Sequence, residues 1–374
     1  ILPLTSEMRA QRKSSSLHER HLKRLREREG RNVLCWSLFI LLILCFVYGS
    51  LLRKDFPYVN YDDPMNFKHN NHVHHLSYEN LRWALFEGTR IGVYEPVANL
   101  FKMIIFGACR VVDSDIAESE IPAHCIHRSS VMLHAVNAIL SFLTSLHFVR
   151  NTKFAAISVI FFFVHSQRVE VVAWASGIPY TICCFFVLLS VLTHIRSWRH
   201  DSLWWYGWRT ISVLTFLAAT MSKSMAVSAI AFHTSYDLLR ALSSSRSFTT
   251  SVRHALTQNS ILIFVACVSA YVAIQTSGVP ADLSETKAAT VMMLWQRVLV
   301  ASRVLVSYLT QQFVPAFLRP YRQCVRYPLP KEENIHFEDM YALSFVFVIA
   351  FSLLAVLTIL LSSSSRRRKY YAMT

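Results

Sequence analysis

RNTKFAAISVIFFFVHSQRVEVVAWASGIPYTICCFFVLLSVLTHIRSWRH, residues 150–200, decides the fold. Its two apolar runs, 154–172 and 178–195, each approach the about 20 residues an α-helix needs to cross a hydrocarbon core. Arg150 and Lys153 precede the first run, and Arg196 and Arg199 follow the second. The first run ends in Arg168 and Glu170, and a short turn with Ser176 leads to the second. Basic residues mark the cytosolic side of a membrane. The stretch therefore reads as a helical hairpin whose basic ends face the cytosol and whose polar turn lies on the opposite face.

Working outward, six more apolar runs occupy 33–52, 130–149, 203–221, 226–242, 260–274 and 341–361. Alternating sides, the segments assigned to the cytosol are 9–31, 150–153, 196–200, 240–253 and 366–369, and every one is basic. The pattern predicts an all-α polytopic membrane protein with about eight transmembrane helices and both termini in the cytosol. Residues 1–32 form a basic cytosolic tail, 33–361 the membrane domain and 362–374 a second basic tail. The run 33–52 exceeds the h-region of a signal peptide and is followed by Arg53, Lys54 and Asp55, so it reads as an uncleaved anchor. The largest luminal segment, 53–128, has amphipathic helical spacing at 77–87 and 97–110, and both helices are expected to lie along the membrane face. A second luminal or interfacial segment spans 275–340. Within it, 291–318 is apolar but carries Arg297 and Arg303. A full crossing there would export the 366–369 cluster, so an interfacial or re-entrant helix is expected.

Composition agrees with this class. Hydrophobic residues make up 53% of the 374 and charged residues 16%, against about 25% charged in soluble domains. An ordinary soluble enzyme and a disordered chain are both excluded. The 38 Lys and Arg outnumber the 23 Asp and Glu, but they sit in short clusters between spans. No zinc-finger spacing or RNA-binding aromatic signature accompanies them, so no nucleic-acid partner is expected. Cys35, Cys45, Cys183, Cys184 and Cys267 fall in apolar runs and read as buried thiols. Cys109 and Cys125 lie in the first large loop and could be oxidised if that loop is luminal. Four tryptophans, Trp198, Trp204, Trp205 and Trp208, read as an interfacial belt.

The polar residues of chemical interest all fall on the luminal side: Tyr61-Asp62-Asp63-Pro64, Tyr94-Glu95-Pro96, His165 to Glu170, and Ser222-Lys223-Ser224. Charges at membrane edges are costly unless paired or wetted. Asp62 and Asp63 either cap a turn or form adjacent carboxylates suited to proton abstraction. Arg168 and Glu170 either close a helix end as a pair or hold a phosphate, with Arg168 binding it bidentately. Lys223 either snorkels to the interface or neutralises a phosphate there. The run His69-Asn70-Asn71-His72-Val73-His74-His75 has no standard ligand spacing and reads as a solvated loop rather than a metal site.

In this order, these residues resemble the integral-membrane glycosyltransferases of the GT-C type, most nearly the transmembrane O-mannosyltransferases that carry tetratricopeptide repeats. Val59-Asn60-Tyr61-Asp62-Asp63 matches the family's aromatic and double-Asp loop. Tyr94-Glu95-Pro96-Val97-Ala98-Asn99-Leu100 matches its surface-helix motif. His127, His134 and Asn137 match the next helix; His165, Arg168, Glu170 and Trp174 match a His-to-Trp motif; Ser222-Lys223 matches a Ser-Lys pair. The likeness covers roughly 33–317. It departs at Ser166, where the family has Pro, and at Ser224, where Glu is frequent, and no repeats follow the last span.

The resemblance implies a GT-C-like bundle that transfers a sugar, mannose in most relatives, from dolichyl phosphate to Ser or Thr hydroxyls of protein acceptors in the endoplasmic reticulum membrane. It implies Asp63 or Asp62 as base, with Asp63 slightly favoured. Arg168 and Lys223 would meet the donor phosphate, supported by Glu95, His127, His165 and Glu170. The lipid-linked sugar is the expected cosubstrate; nothing in the pattern requires a divalent metal. Two other readings remain at this point, a polyprenyl-lipid or solute transporter using the same carboxylates, and an inactive membrane scaffold.

Overall fold

The computed structural model describes residues 6–90, 93–112, 122–149, 151–198, 203–244, 247–276, 294–313 and 346. The expected span at 341–361 and the tail at 362–374 lie outside these residues, apart from Val346, as does most of 275–340. The described residues are almost all helical. A two-residue antiparallel ribbon, Thr89–Arg90 with Val93–Tyr94, is the sheet among them.

Helix α1 (Ser6–Arg53) carries the basic segment into the first apolar run without a break. The segment after α1 holds the two amphipathic helices expected from the spacing, α2 (Tyr78–Phe86) and α3 (Pro96–Val112). Ser77 caps α2 by accepting from the Asn80 N–H at 3.1 Å. Next come α4 (Ala123–Ser145), α5 (Thr152–Phe163), α6 (Ser166–Ala173) and α7 (Ile178–Ser197). The series ends with α8 (Leu203–Ser222), α9 (Ile230–Ser243), α10 (Phe248–Gln258), α11 (Ser260–Thr276) and α12 (Leu294–Phe313).

Among the described residues two helices are long and apolar enough to cross a membrane, Glu27–Arg53 within α1 and Ala175–Ser197 ending in α7; the number rises to four if each of two bent pairs is one crossing. The other expected runs among the described residues, in α4, α8 and α9, form helices that fall below that length or apolarity. Leu34, Leu38, Leu42 and Phe46 recur every four residues on α1 and are not covered by protein. An uncovered apolar stripe of this kind suits lipid rather than water. The opposite face, with Ile40, Leu44 and Tyr48, packs on Phe142 of α4 and Val159 of α5. These are the helices of a membrane protein.

Four expectations are corrected. The run 154–172 is not one straight span, because α5 and α6 meet at 61°. The break frees the Phe163 carbonyl, which accepts from Tyr48 Oη of α1 at 3.1 Å and lies 3.0 Å from His134 Nε2 of α4. His165 restarts the helix by accepting the Gln167 N–H on Nδ1 at 3.2 Å. The basic segment 240–253 is not simply a connection between two runs, since α10 begins at Phe248 and meets α11 at 63°. Cys35, Cys45 and Cys267 are exposed on helix faces rather than buried. The 69–75 run is only partly solvated: His69, Asn71 and His75 are exposed, but His72 stacks on Trp83 with centroids 4.4 Å apart, and buried His74 lies 3.0 Å from the Phe67 carbonyl.

Cys109 of α3 and Cys125 of α4 form a disulfide across a sequence separation of 16. Closing a loop of that length contributes about 3 kcal/mol. Non-reducing peptide mapping is expected to recover these two residues as one cross-linked species, with the Cys109→Ser/Cys125→Ser double variant unfolding earlier by that margin. Free thiols at both positions would refute the pairing.

Candidate active site

The loop after α1 turns back over the bundle and is held there by Asp63. This carboxylate is wholly buried. Its Oδ2 accepts the Val59 N–H at 2.8 Å, while Oδ1 accepts the Ser176 N–H at 2.9 Å together with the Ser176 hydroxyl. Asn66 Nδ2 donates to Ser176 Oγ at 2.9 Å and completes the knot. Three donors on one carboxylate satisfy a charge that burial would otherwise penalise. Ser176 is presented by a one-turn 3-10 segment, Ala175–Gly177, packed against α6. A Cβ on Gly177 would stand 2.5 Å from the Val171 carbonyl oxygen, so this close turn needs glycine.

Asp62 is placed differently. It is half-buried and none of those donors reaches it. Burial, then the Asp63 charge, raise its pKa above the ordinary carboxylate value, with Lys223 opposing. Of the two neighbours, Asp63 has its carboxylate engaged by three donors, and Asp62 is reached by none of them.

Lys223, just after α8, forms an ion pair with Glu95, which immediately precedes α3. Its ammonium also lies 4.7 Å from the centroid of the Tyr180 ring on α7. Burial works against the Lys223 charge, but the Glu95 carboxylate overrides it and lifts the ammonium above its usual range. Lys223 thus meets Glu95 from 128 positions away in sequence, and its charge is felt at Asp62 at the same end of the bundle.

Tyr180 also lines two cavities that share Phe162, Arg168 and Val171. One, of ≈ 290 Å³, runs between α5, α7 and the segment after Lys223, past Cys184 and Ala229. The other, of ≈ 470 Å³, is closed by Leu305, Tyr308 and Leu309 of α12. The guanidinium of Arg168 lies 4.5 Å from the Phe162 ring centroid and donates to Gln312 of α12 at 3.2 Å. Glu170 lines the larger cavity. The cavities are largely apolar, with Arg168 at their junction and Lys223 across Tyr180.

The remaining expected site residues divide. His127 is 2% exposed, feels the Asp63 charge, and has no hydrogen-bond partner on either ring nitrogen. Tyr58 Oη, which also feels the Asp63 charge, is likewise buried and unpartnered. These atoms leave polar valence for a bound molecule or water next to Asp63. His165 is spent on its helix cap. Among the described residues the one cluster of metal-ligand type is Cys109, His124 and Cys125, and its two sulfurs form the disulfide.

Two features escaped the sequence reading. Lys102, on α3, is buried beside the Glu95–Lys223 pair. At the far end of α7, Asp237 of α9 lies 3.0 Å from His194 Nε2 and accepts from Trp198 Nε1 at 2.7 Å and Asn259 Nδ2 at 2.8 Å. Arg209 of α8 completes this group, donating to Asp237 at 3.4 Å and stacking on Trp198 and Trp205. Trp198 is therefore part of a buried polar knot rather than only an interfacial belt. Ionisable residues inside three apolar runs, His194, Arg209 and Asp237, were the available signal.

Comparison with protein families, curated proteins and solved structures finds no match to this chain.

Proposed function

We propose that this protein is a lipid-phosphate-dependent glycosyltransferase, transferring a sugar, mannose in the simplest case, from dolichyl phosphate to Ser or Thr hydroxyls on the luminal face of the endoplasmic reticulum membrane. One observation carries the reading: a half-buried carboxylate, Asp62, shares one end of the bundle with Lys223, and an apolar cleft with Arg168 at its junction opens beside them. A polyprenyl-phosphate sugar has the complementary form. Its isoprenoid suits the cleft along Phe162, Val171 and Leu309. Its phosphate suits Lys223 and Arg168, which stabilise the charge left when the sugar–phosphate bond breaks. Asp62 takes the proton of the acceptor hydroxyl as that oxygen attacks the anomeric carbon, and the lipid phosphate leaves from the opposite side with inversion. Asp63 holds the loop that carries Asp62, and His127 borders the same space. The eight-span, N-in arrangement belongs to this reading, because it sets every one of these groups on the luminal face.

The deciding experiment supplies labelled dolichyl phosphate mannose to microsomes containing the protein and follows label into protein. Transfer above control microsomes, lost on Lys223→Gln at equal expression, is expected. Equal labelling with and without the protein, for mannose and for glucose donors alike, would reject the enzyme reading in favour of a transporter or scaffold.

A further inference from the structure

Glu95, Asn99 and Lys102 stand at i, i+4 and i+7 and so share one face of α3. Long side chains on a helix lean toward its N-terminus, which carries the Lys102 ammonium toward Glu95. Lys102 is 2% exposed. Its Nζ donates to Asn99 Oδ1 at 3.1 Å and lies 5.4 Å from the Phe67 ring centroid. Among the described residues it forms no ion pair. A buried cation without a carboxylate is costly, and burial pushes this ammonium down to about 8, with Glu95 opposing the fall and Lys223 adding to it.

Glu95 thus sits near two lysines but pairs with only one, the more accessible Lys223. That pairing poses a difficulty for any anionic ligand. Drawing Lys223 away would strand the Glu95 carboxylate, which is only 7% exposed, and an uncompensated buried charge opposes binding. The nearby carboxylates do not change the balance: Asp63 is satisfied by its three donors, and Asp62 retains solvent contact.

We infer that Lys102 is a reserve counter-ion: when a phosphodiester monoanion reaches Lys223, Lys223 leaves Glu95 for the ligand and Lys102 takes over the neutralisation of Glu95. The two lysines and Glu95 carry one positive charge together, so one monoanion brings the group to neutrality. Lys102 is a positioning residue, acting on the ligand through Glu95 and Lys223. The inference rests on the donor-phosphate reading above and deepens it.

The test measures binding of the methyl ester of a short polyprenyl phosphate, a phosphodiester monoanion, and of the matching polyprenol to the purified full chain in nanodiscs. Wild type is expected to prefer the phosphate. Lys102→Met is expected to weaken phosphate binding about tenfold or more while leaving the alcohol unchanged. Adding Glu95→Gln to Lys102→Met should restore phosphate binding to within about threefold of Glu95→Gln alone, since no carboxylate is then left to compensate. A purely structural role for Lys102 would not be rescued in this way. Glu95→Gln alone, which needs no change at Lys102, should bind phosphate at least as well as wild type. Unchanged binding in Lys102→Met, a double variant as weak as Lys102→Met, or weakened binding in Glu95→Gln would each overturn the inference alone. Equal wild-type affinity for phosphate and alcohol would overturn the donor-phosphate reading, and the inference with it.

Discussion

Asp62→Asn is expected to lower sugar transfer by about 10²–10⁴-fold, the range for removing a positioned general base, with the folded yield unchanged. Asp63→Asn is expected to fail differently. Its new amide would direct N–H groups at either the Val59 N–H or the Ser176 donors, leaving buried donors unpaired at a cost of about 1–3 kcal/mol. The loop then loosens, so thermal stability falls together with activity. The two variants are separated by measuring the unfolding midpoint and the rate on the same preparation. A stable but inactive Asp63→Asn, beside an active Asp62→Asn, would exchange the two roles. The pH profile gives an independent check. A base must be ionised to accept a proton, and burial and the Asp63 charge raise the Asp62 pKa. Transfer should therefore rise with pH through a point above the ordinary carboxylate range, and this limb should vanish in Asp62→Asn. A rate that is flat from acid to neutral pH would remove Asp62 from the step.

The parts of this site that were legible in sequence share one property: each is a polar residue at the edge of an apolar run. Asp62, Asp63, Glu95, Arg168 and Lys223 could be found because a bilayer makes charge conspicuous. The choice between the two aspartates was not legible, since it depends on Ser176, 113 positions away. Lys102 was hidden for the opposite reason. In Leu100-Phe101-Lys102-Met103 it reads as one polar position of an amphipathic helix, although its spacing from Glu95 puts both on one face. The break at His165 also escaped, because the usual marker of a kink, proline, is Ser166 here. The polar edge there was visible, but not the 61° turn that gives Phe163 carbonyl to Tyr48 and His134. Apolar periodicity located most of the helices, yet it overstated how many are straight and long.

The largest effect on stability is expected far from the chemistry, at Asp237. Its carboxylate is wholly buried and gathers His194 and Trp198 from α7, Arg209 from α8 and Asn259 from the junction of α10 and α11. Removing it by Asp237→Leu leaves the Arg209 guanidinium buried without its partner, a change that costs about 3–5 kcal/mol. The knot lies sixteen residues along α7 from Ile178, about 24 Å at the rise of an α-helix, so the geometry around Asp62 is not directly touched. Transfer per folded molecule should hold while the unfolding midpoint in detergent falls steeply. Pairing Asp237→Leu with Arg209→Met removes both charges and should recover much of the loss, because an apolar pair avoids the desolvation penalty that the ion pair only offsets. That recovery distinguishes a structural clamp from a functional one. A double variant that regains stability but loses transfer would make these charges part of the working cycle, linking the two ends of the bundle through α7.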